Sequence, residues 1–206
     1  GKPFRTRAGD TVKLADLLDE AEERALRLVT AKNPNLDERD RHEIARVVGL
    51  GALKYADLLP NRQSDYVFDW DKMLALTGNT APYLQYAYTR IRSIFRKHAE
   101  VTPAETGWSH RAGACLTLEH DQEIRLAKHL LGFGFVLEAV ADDYRPNYLC
   151  NYLYDLAGHF TAFYENCPVL KADEPRRSSR LALCDLTAKI LQQGLATLGI
   201  ETSERM

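Results

Sequence analysis

Two apolar seams constrain the architecture of this chain more than any other feature. Leu149, Leu153, Leu156, Phe160, Phe163 and Cys167 follow one another at spacings of 4, 3, 4, 3 and 4 residues. Leu181, Cys184, Ala188, Leu191, Leu195 and Leu198 do so at 3, 4, 3, 4 and 3. An α-helix with 3.6 residues per turn gathers such positions onto one face, whereas a strand scatters them over both. The seams predict two long helices packed into a common core, and core packing accounts for them without a cofactor.

The rest of the chain follows the same period. Leu14, Leu17, Ala21, Ala25 and Leu28 form one stripe, and Ile44, Val48, Gly51, Tyr55 and Leu58 form another. Asn33-Pro34-Asn35 breaks the chain between them, and Asp37 or Asp40 can cap the second helix. The stretch 65–70, with Tyr66, Val67 and Phe68, is the best candidate for extended structure. Gly78-Asn79-Thr80 signals a turn, and Pro82 suits the first turn of a helix running to about His98. A composition shift near Gly78 suggests one unit over residues 1–78 and a helical bundle over 79–206. The expected class is mainly α.

A formal net charge of −2 means that nucleic-acid binding has to come from local basic patches. Between Lys72 and Ala99 there is no Asp or Glu, while Lys72, Arg90, Arg92, Arg96 and Lys97 alternate with Tyr83, Tyr86 and Tyr88. Cations for phosphates beside rings for unstacked bases suit single-stranded RNA. A helix with tyrosines in the core and arginines in solvent has the same composition. A smaller cluster, Lys171, Arg176, Arg177 and Arg180, reads mostly as solvated surface. The opening Gly1-Lys2-Pro3-Phe4-Arg5-Thr6-Arg7-Ala8-Gly9 carries cations and a hydroxyl but no acid. It can surround a polyphosphate, although a solvated basic turn is the simpler reading.

Other chemistries lack support. The histidines show no metal-ligand spacing, and neither a nucleophile elbow nor a dinucleotide-binding glycine turn occurs. Asp69 and Asp71 beside Trp70 fit capping better than catalysis. Three of the four cysteines, Cys150, Cys167 and Cys184, fall in apolar stretches, which fits buried thiols in a reducing cytoplasm. The longest apolar run, around Leu130 to Leu137, is too short to cross a bilayer. With its start inside a basic segment, the chain reads as a piece of a longer protein.

Five blocks then resemble one family, in order along the chain. They are the opening segment through Leu18, Val48 to Asp57 with Asn61 to Met73, Gly78 to Arg92, Leu149 to Pro168, and Ser179 to Met206. Together they are similar to the arginyl-tRNA synthetases of the class I type. The opening segment resembles that family's version of the signature loop (consensus KMSKS), with Thr6-Arg7 where the consensus has its later Ser-Lys. The name of the DALR anticodon-binding domain is matched here by Ser179-Arg180-Leu181-Ala182-Leu183.

The resemblance implies a fold and a reaction. The fold is the helical tail of a Rossmann-type catalytic domain (1–78) followed by an all-α DALR bundle (79–206). The reaction makes arginyl-adenylate and pyrophosphate from L-arginine and ATP, then moves the arginyl group to the 3′ end of its tRNA. ATP enters as a substrate with Mg2+, and no tightly bound cofactor or resident protein metal is expected. Lys2, Arg5, Thr6 and Arg7 are implied in catalysis, with Lys2, Thr6 and Arg7 on the ATP phosphates. Tyr86, Arg90, Tyr164 and Met206 are implied at the anticodon loop of arginine tRNA. A cytoplasmic protein with neither membrane nor DNA as partner is expected. The other class I signature, H-I-G-H, is missing, so the chain alone is expected to bind RNA without catalysing. A stand-alone helical RNA-binding or scaffold module is the alternative, but a scaffold has no use for the signature-like loop.

Overall fold

The computed structural model describes residues 13–101 and 116–206. Among them the chain forms α1 (Leu14–Lys32), α2 (Glu38–Leu58), α3 (Trp70–Met73), α4 (Ala81–Val101), α5 (Asp121–Leu131), α6 (Phe133–Asp143), α7 (Asn147–Asn166) and α8 (Arg176–Thr197). No strand occurs among the described residues. The expectation of extended structure over 65–70 is corrected accordingly. Without a partner strand the segment instead packs Phe68 edge-on against Trp70, ring centroids 4.8 Å apart. Asp69 then caps α3 by accepting from the backbone N–H groups of Asp71 and Lys72.

The two seams become the centre of the molecule. All six residues of the first lie on or just after α7 and are at most 1% exposed, and those of the second, on or just after α8, at most 9%. With Ala81, Leu84, Tyr88 and Ile91 of α4 and Leu126 of α5 they form one core. Tyr55 of α2 joins it, its hydroxyl donating to the Cys150 carbonyl at 2.8 Å. Burial pushes the Tyr55 phenol far above its ordinary range, so the group stays a neutral donor.

A second core lies between α1 and α2, formed by Ala25, Val29, Ile44, Ala45 and Val48 and closed by Met73 and Leu74. Gly49 sets the approach of the two helices: a Cβ there would stand 2.6 Å from the Ala21 carbonyl oxygen. The α1 stripe is buried only in its middle. Ala21 and Ala25 are sealed, while Leu14 is 67% and Leu28 37% exposed.

Arg180, grouped above with solvated cations, is the exception in its cluster. Its side chain is 11% exposed and pairs at 2.6 Å with Glu123, itself 2% exposed. It also donates to the Pro168 carbonyl, so the arginine of the DALR-like stretch ties α8 to α5 and to the end of α7. Arg176 and Arg177 pair at the surface with Glu119 and Glu174, as expected of rim charges.

Candidate nucleic-acid interface

The acid-free stretch 72–99 supplies most of α4, which presents two different faces. Tyr88 is 3% exposed and belongs to the core, and Tyr83 is half-buried beside Tyr154. Tyr86 is 47% exposed. The tyrosines that composition groups together therefore do different things, because they point in different directions around the helix. Arg90 lies one turn beyond Tyr86, with its guanidinium carbon 4.4 Å from the centre of the Tyr164 ring on α7. Among the described residues no carboxylate pairs with Arg90, so its donors remain available at the edge of an aromatic platform.

A cavity of about 200 Å³ opens beside Tyr86. Its apolar walls come from Leu28, Val29, Ile44, Val48 and Leu74, its polar margin from Lys32 and Asn33, and Met206 lines it opposite the helices. The volume equals roughly six or seven waters of bulk liquid, the scale of one heterocyclic ring. A larger cavity, about 280 Å³, lies near Tyr55, Tyr66 and Asn79. Its cation Lys72 sits 3.9 Å from Asp69, a carboxylate that competes with any anion there. The smaller cavity, lined by Tyr86 one helical turn before the unpaired Arg90, has the better chemistry for RNA.

Met206 reaches that cavity because the last eight residues fold back. The α8 helix ends in a Schellman turn: Ile200 N–H donates to the Leu195 carbonyl and Gly199 N–H to that of Ala196, both at 2.9 Å. Gly199 sits at φ 72°, the left-handed conformation that glycine adopts without strain. From there Lys54 donates to the Gly199 carbonyl and Arg46 holds the Glu201 carboxylate at 2.7 Å. That pairing keeps Glu201 ionised below its usual range. Gln85, fully buried, donates through Nε2 to both the Val47 and Glu201 carbonyls.

The structure thus brings Tyr86, Arg90, Tyr164 and Met206 to one region, by contacts across α4, α7 and the tail. Lys2, Arg5, Thr6 and Arg7 lie outside the described residues. Sequence reasoning missed the cavity lining from α1 and the tail anchors on α4. One signal was available: the acid-free stretch 72–99 and a tail carrying Glu201 and Glu204 have complementary charge. Among the described residues no group of three or more His, Cys, Asp or Glu side chains could hold a metal ion. Nor is any helix there long and apolar enough to cross a membrane.

Known proteins share this architecture. Residues 84–206 match the family described as DALR anticodon binding domain, and residues 1–70 match that of tRNA synthetases class I (R), catalytic domain. The chain is 57% identical over 207 aligned residues to the arginine–tRNA ligases of Enterobacter sp. (strain 638) and of Escherichia coli (strain SE11). The alignment covers all of this chain and 35% of each relative. Among solved structures, Thermus thermophilus arginyl-tRNA synthetase matches with a TM-score of 0.84 at 32% identity, over 96% of this chain and 33% of that one. Plasmodium falciparum arginyl-tRNA synthetase matches with 0.76 at 33% identity, over 95% and 34%.

Proposed function

Since the chain belongs to the arginyl-tRNA synthetase family, we propose that it is the anticodon-reading portion of an arginine–tRNA ligase and carries that enzyme's ATP-closing loop. The family's class I members activate their amino acid with ATP. In this reading residues 1–78 are the tail of the catalytic domain and 79–206 the anticodon-binding bundle. The complete protein joins L-arginine to its tRNA by way of arginyl-adenylate. Lys2, Arg5, Thr6 and Arg7, with Mg2+, face the ATP phosphates, where cations stabilise charge developing on the leaving pyrophosphate. Arg7→Ala in the complete enzyme should slow adenylate formation and leave tRNA affinity unchanged, as measured by pyrophosphate exchange and filter binding. The free buried thiols of Cys150, Cys167 and Cys184 support a cytoplasmic setting.

The observation that carries the anticodon reading is that Tyr86 and Met206 line one apolar cavity, while Arg90, one helical turn beyond Tyr86, rests on the Tyr164 ring. A half-exposed ring can stack on a splayed base. A guanidinium resting on a second ring can reach a phosphate or a base edge. The thioether adapts to the shape of the base. The test measures binding of an arginine-tRNA anticodon stem-loop to single variants. Tyr86→Ala should weaken it by roughly 1–3 kcal/mol, the worth of one stacked base. Arg90→Ala should weaken it and flatten the salt dependence by about one phosphate's share. Neither should lower the melting temperature by more than a few degrees. A large melting shift with unaltered affinity would mean that Tyr86 is a packing residue only.

A further inference from the structure

The residues that hold the tail form a stripe of their own on α4. Gln85, Tyr88, Thr89, Arg92 and Arg96 recur at 3, 1, 3 and 4 residues, one helical face roughly a third of a turn around α4 from the Tyr86–Arg90 pair. Gln85 binds the Glu201 carbonyl, and Thr89 donates to the Ser203 carbonyl at 2.9 Å. Glu204 takes the rest. Its carboxylate accepts from the Tyr88 hydroxyl at 2.8 Å and Arg92 Nε at 2.9 Å, and its carbonyl accepts from Arg96 at 2.8 Å. Burial alone would raise the Glu204 carboxyl, but the bonds from Arg92 and Tyr88 outweigh it and hold the group below the ordinary carboxylate range. Two of the three arginines on this helix are thereby spent on the tail, and Arg90 is the one left for a ligand.

We propose that Glu204 determines specificity at the anticodon site by keeping Arg92 off RNA phosphates while pinning the tail that ends in Met206. The proposal rests on the anticodon-loop reading above. Exposed cations strengthen binding to any RNA alike, because phosphates carry no sequence. Specificity is a difference between two affinities, so removing a cation from the surface lowers the wrong one without touching the base contact. Glu204 does this from two residues before Met206, coupling charge withdrawal to the position of the thioether.

The test uses the 206-residue chain and two stem-loops of equal length, one with the arginine anticodon and one with its middle base changed. Glu204→Gln keeps the shape and removes the charge; the side chain is 59% exposed, so folding is retained. The variant should bind the altered loop roughly three- to tenfold tighter at low salt. Its salt slope should steepen by about 0.7, one single-strand phosphate's share. Preference for the arginine loop should fall by a similar factor. Adding Arg92→Gln to Glu204→Gln should return the altered-loop affinity and slope to wild-type values. Arg92→Gln alone should weaken binding of both loops alike, because it leaves the exposed Glu204 carboxylate without its cation. Unchanged affinity and slope in Glu204→Gln overturn the proposal. Equal wild-type binding of the two loops overturns the anticodon reading itself, and this proposal with it.

Discussion

Arg180→Met should cost about 3–5 kcal/mol of folding stability, the largest loss expected from any single charge among the described residues. Methionine preserves the packing of the side-chain stem, so the change isolates the charge. What it leaves behind is Glu123, 2% exposed and, among the described residues, paired with no other cation. Burial is the strongest influence on Glu123 and pushes its pKa up. The backbone N–H groups of His120 and Glu119, together with Arg180, reverse that and hold it below the usual range. In wild type the folded pKa is thus depressed, and the stabilisation is present above the ordinary pKa of about 4.5 and lost as pH falls through the lowered value. Removing Arg180 moves the Glu123 pKa upward. The gap between variant and wild type should be widest near neutral pH and shrink toward pH 4. Urea denaturation at several pH values checks both the size and the sign. A gap that stays constant would show that packing, not charge, explains the loss.

Gly49→Val should separate α1 from α2 and cost around 3 kcal/mol, the upper end of ordinary overpacking. Two effects compete at this position. Replacing glycine inside a helix gains about 0.5–1 kcal/mol of backbone entropy. Against it stands a Cβ only 2.6 Å from the Ala21 carbonyl oxygen and 2.7 Å from its carbon. Those atoms are backbone, which cannot rotate out of the way, so the helices themselves have to part and strain wins. Leu28 and Val29 of α1 and Ile44 and Val48 of α2 line the cavity beside Tyr86 and Met206. The same substitution should therefore weaken binding of the arginine anticodon stem-loop, although Gly49 touches no part of the proposed contact. Melting curves and stem-loop titration measure the two effects on one sample. A stable variant with full affinity would show that α1 yields freely and contributes nothing to the cavity.

Much of this protein is legible without coordinates. The seams at 149–167 and 181–198 specify two buried helices, because a period near 3.6 leaves a chain no other way to hide those side chains. Asp37 caps α2 as its type predicts, accepting from the Asp40 N–H at 2.7 Å. The ordered blocks of resemblance identify the family. What the sequence could not decide is direction and distance. Tyr86 and Tyr88 stand two residues apart on the same helix, one half exposed and one sealed, because two steps rotate a side chain by about 200°. Arg90 is available, while Arg92 and Arg96 are held by a residue 112 and 108 positions away. Arg180 reads as one more surface cation until α5 delivers Glu123 to it. The tail reads as a polar end until Gly199 turns it back along α4. Local periodicity reports which face of a helix is apolar; only the packed structure reports which polar groups from distant parts of the chain meet, and those pairings decide what remains free to bind.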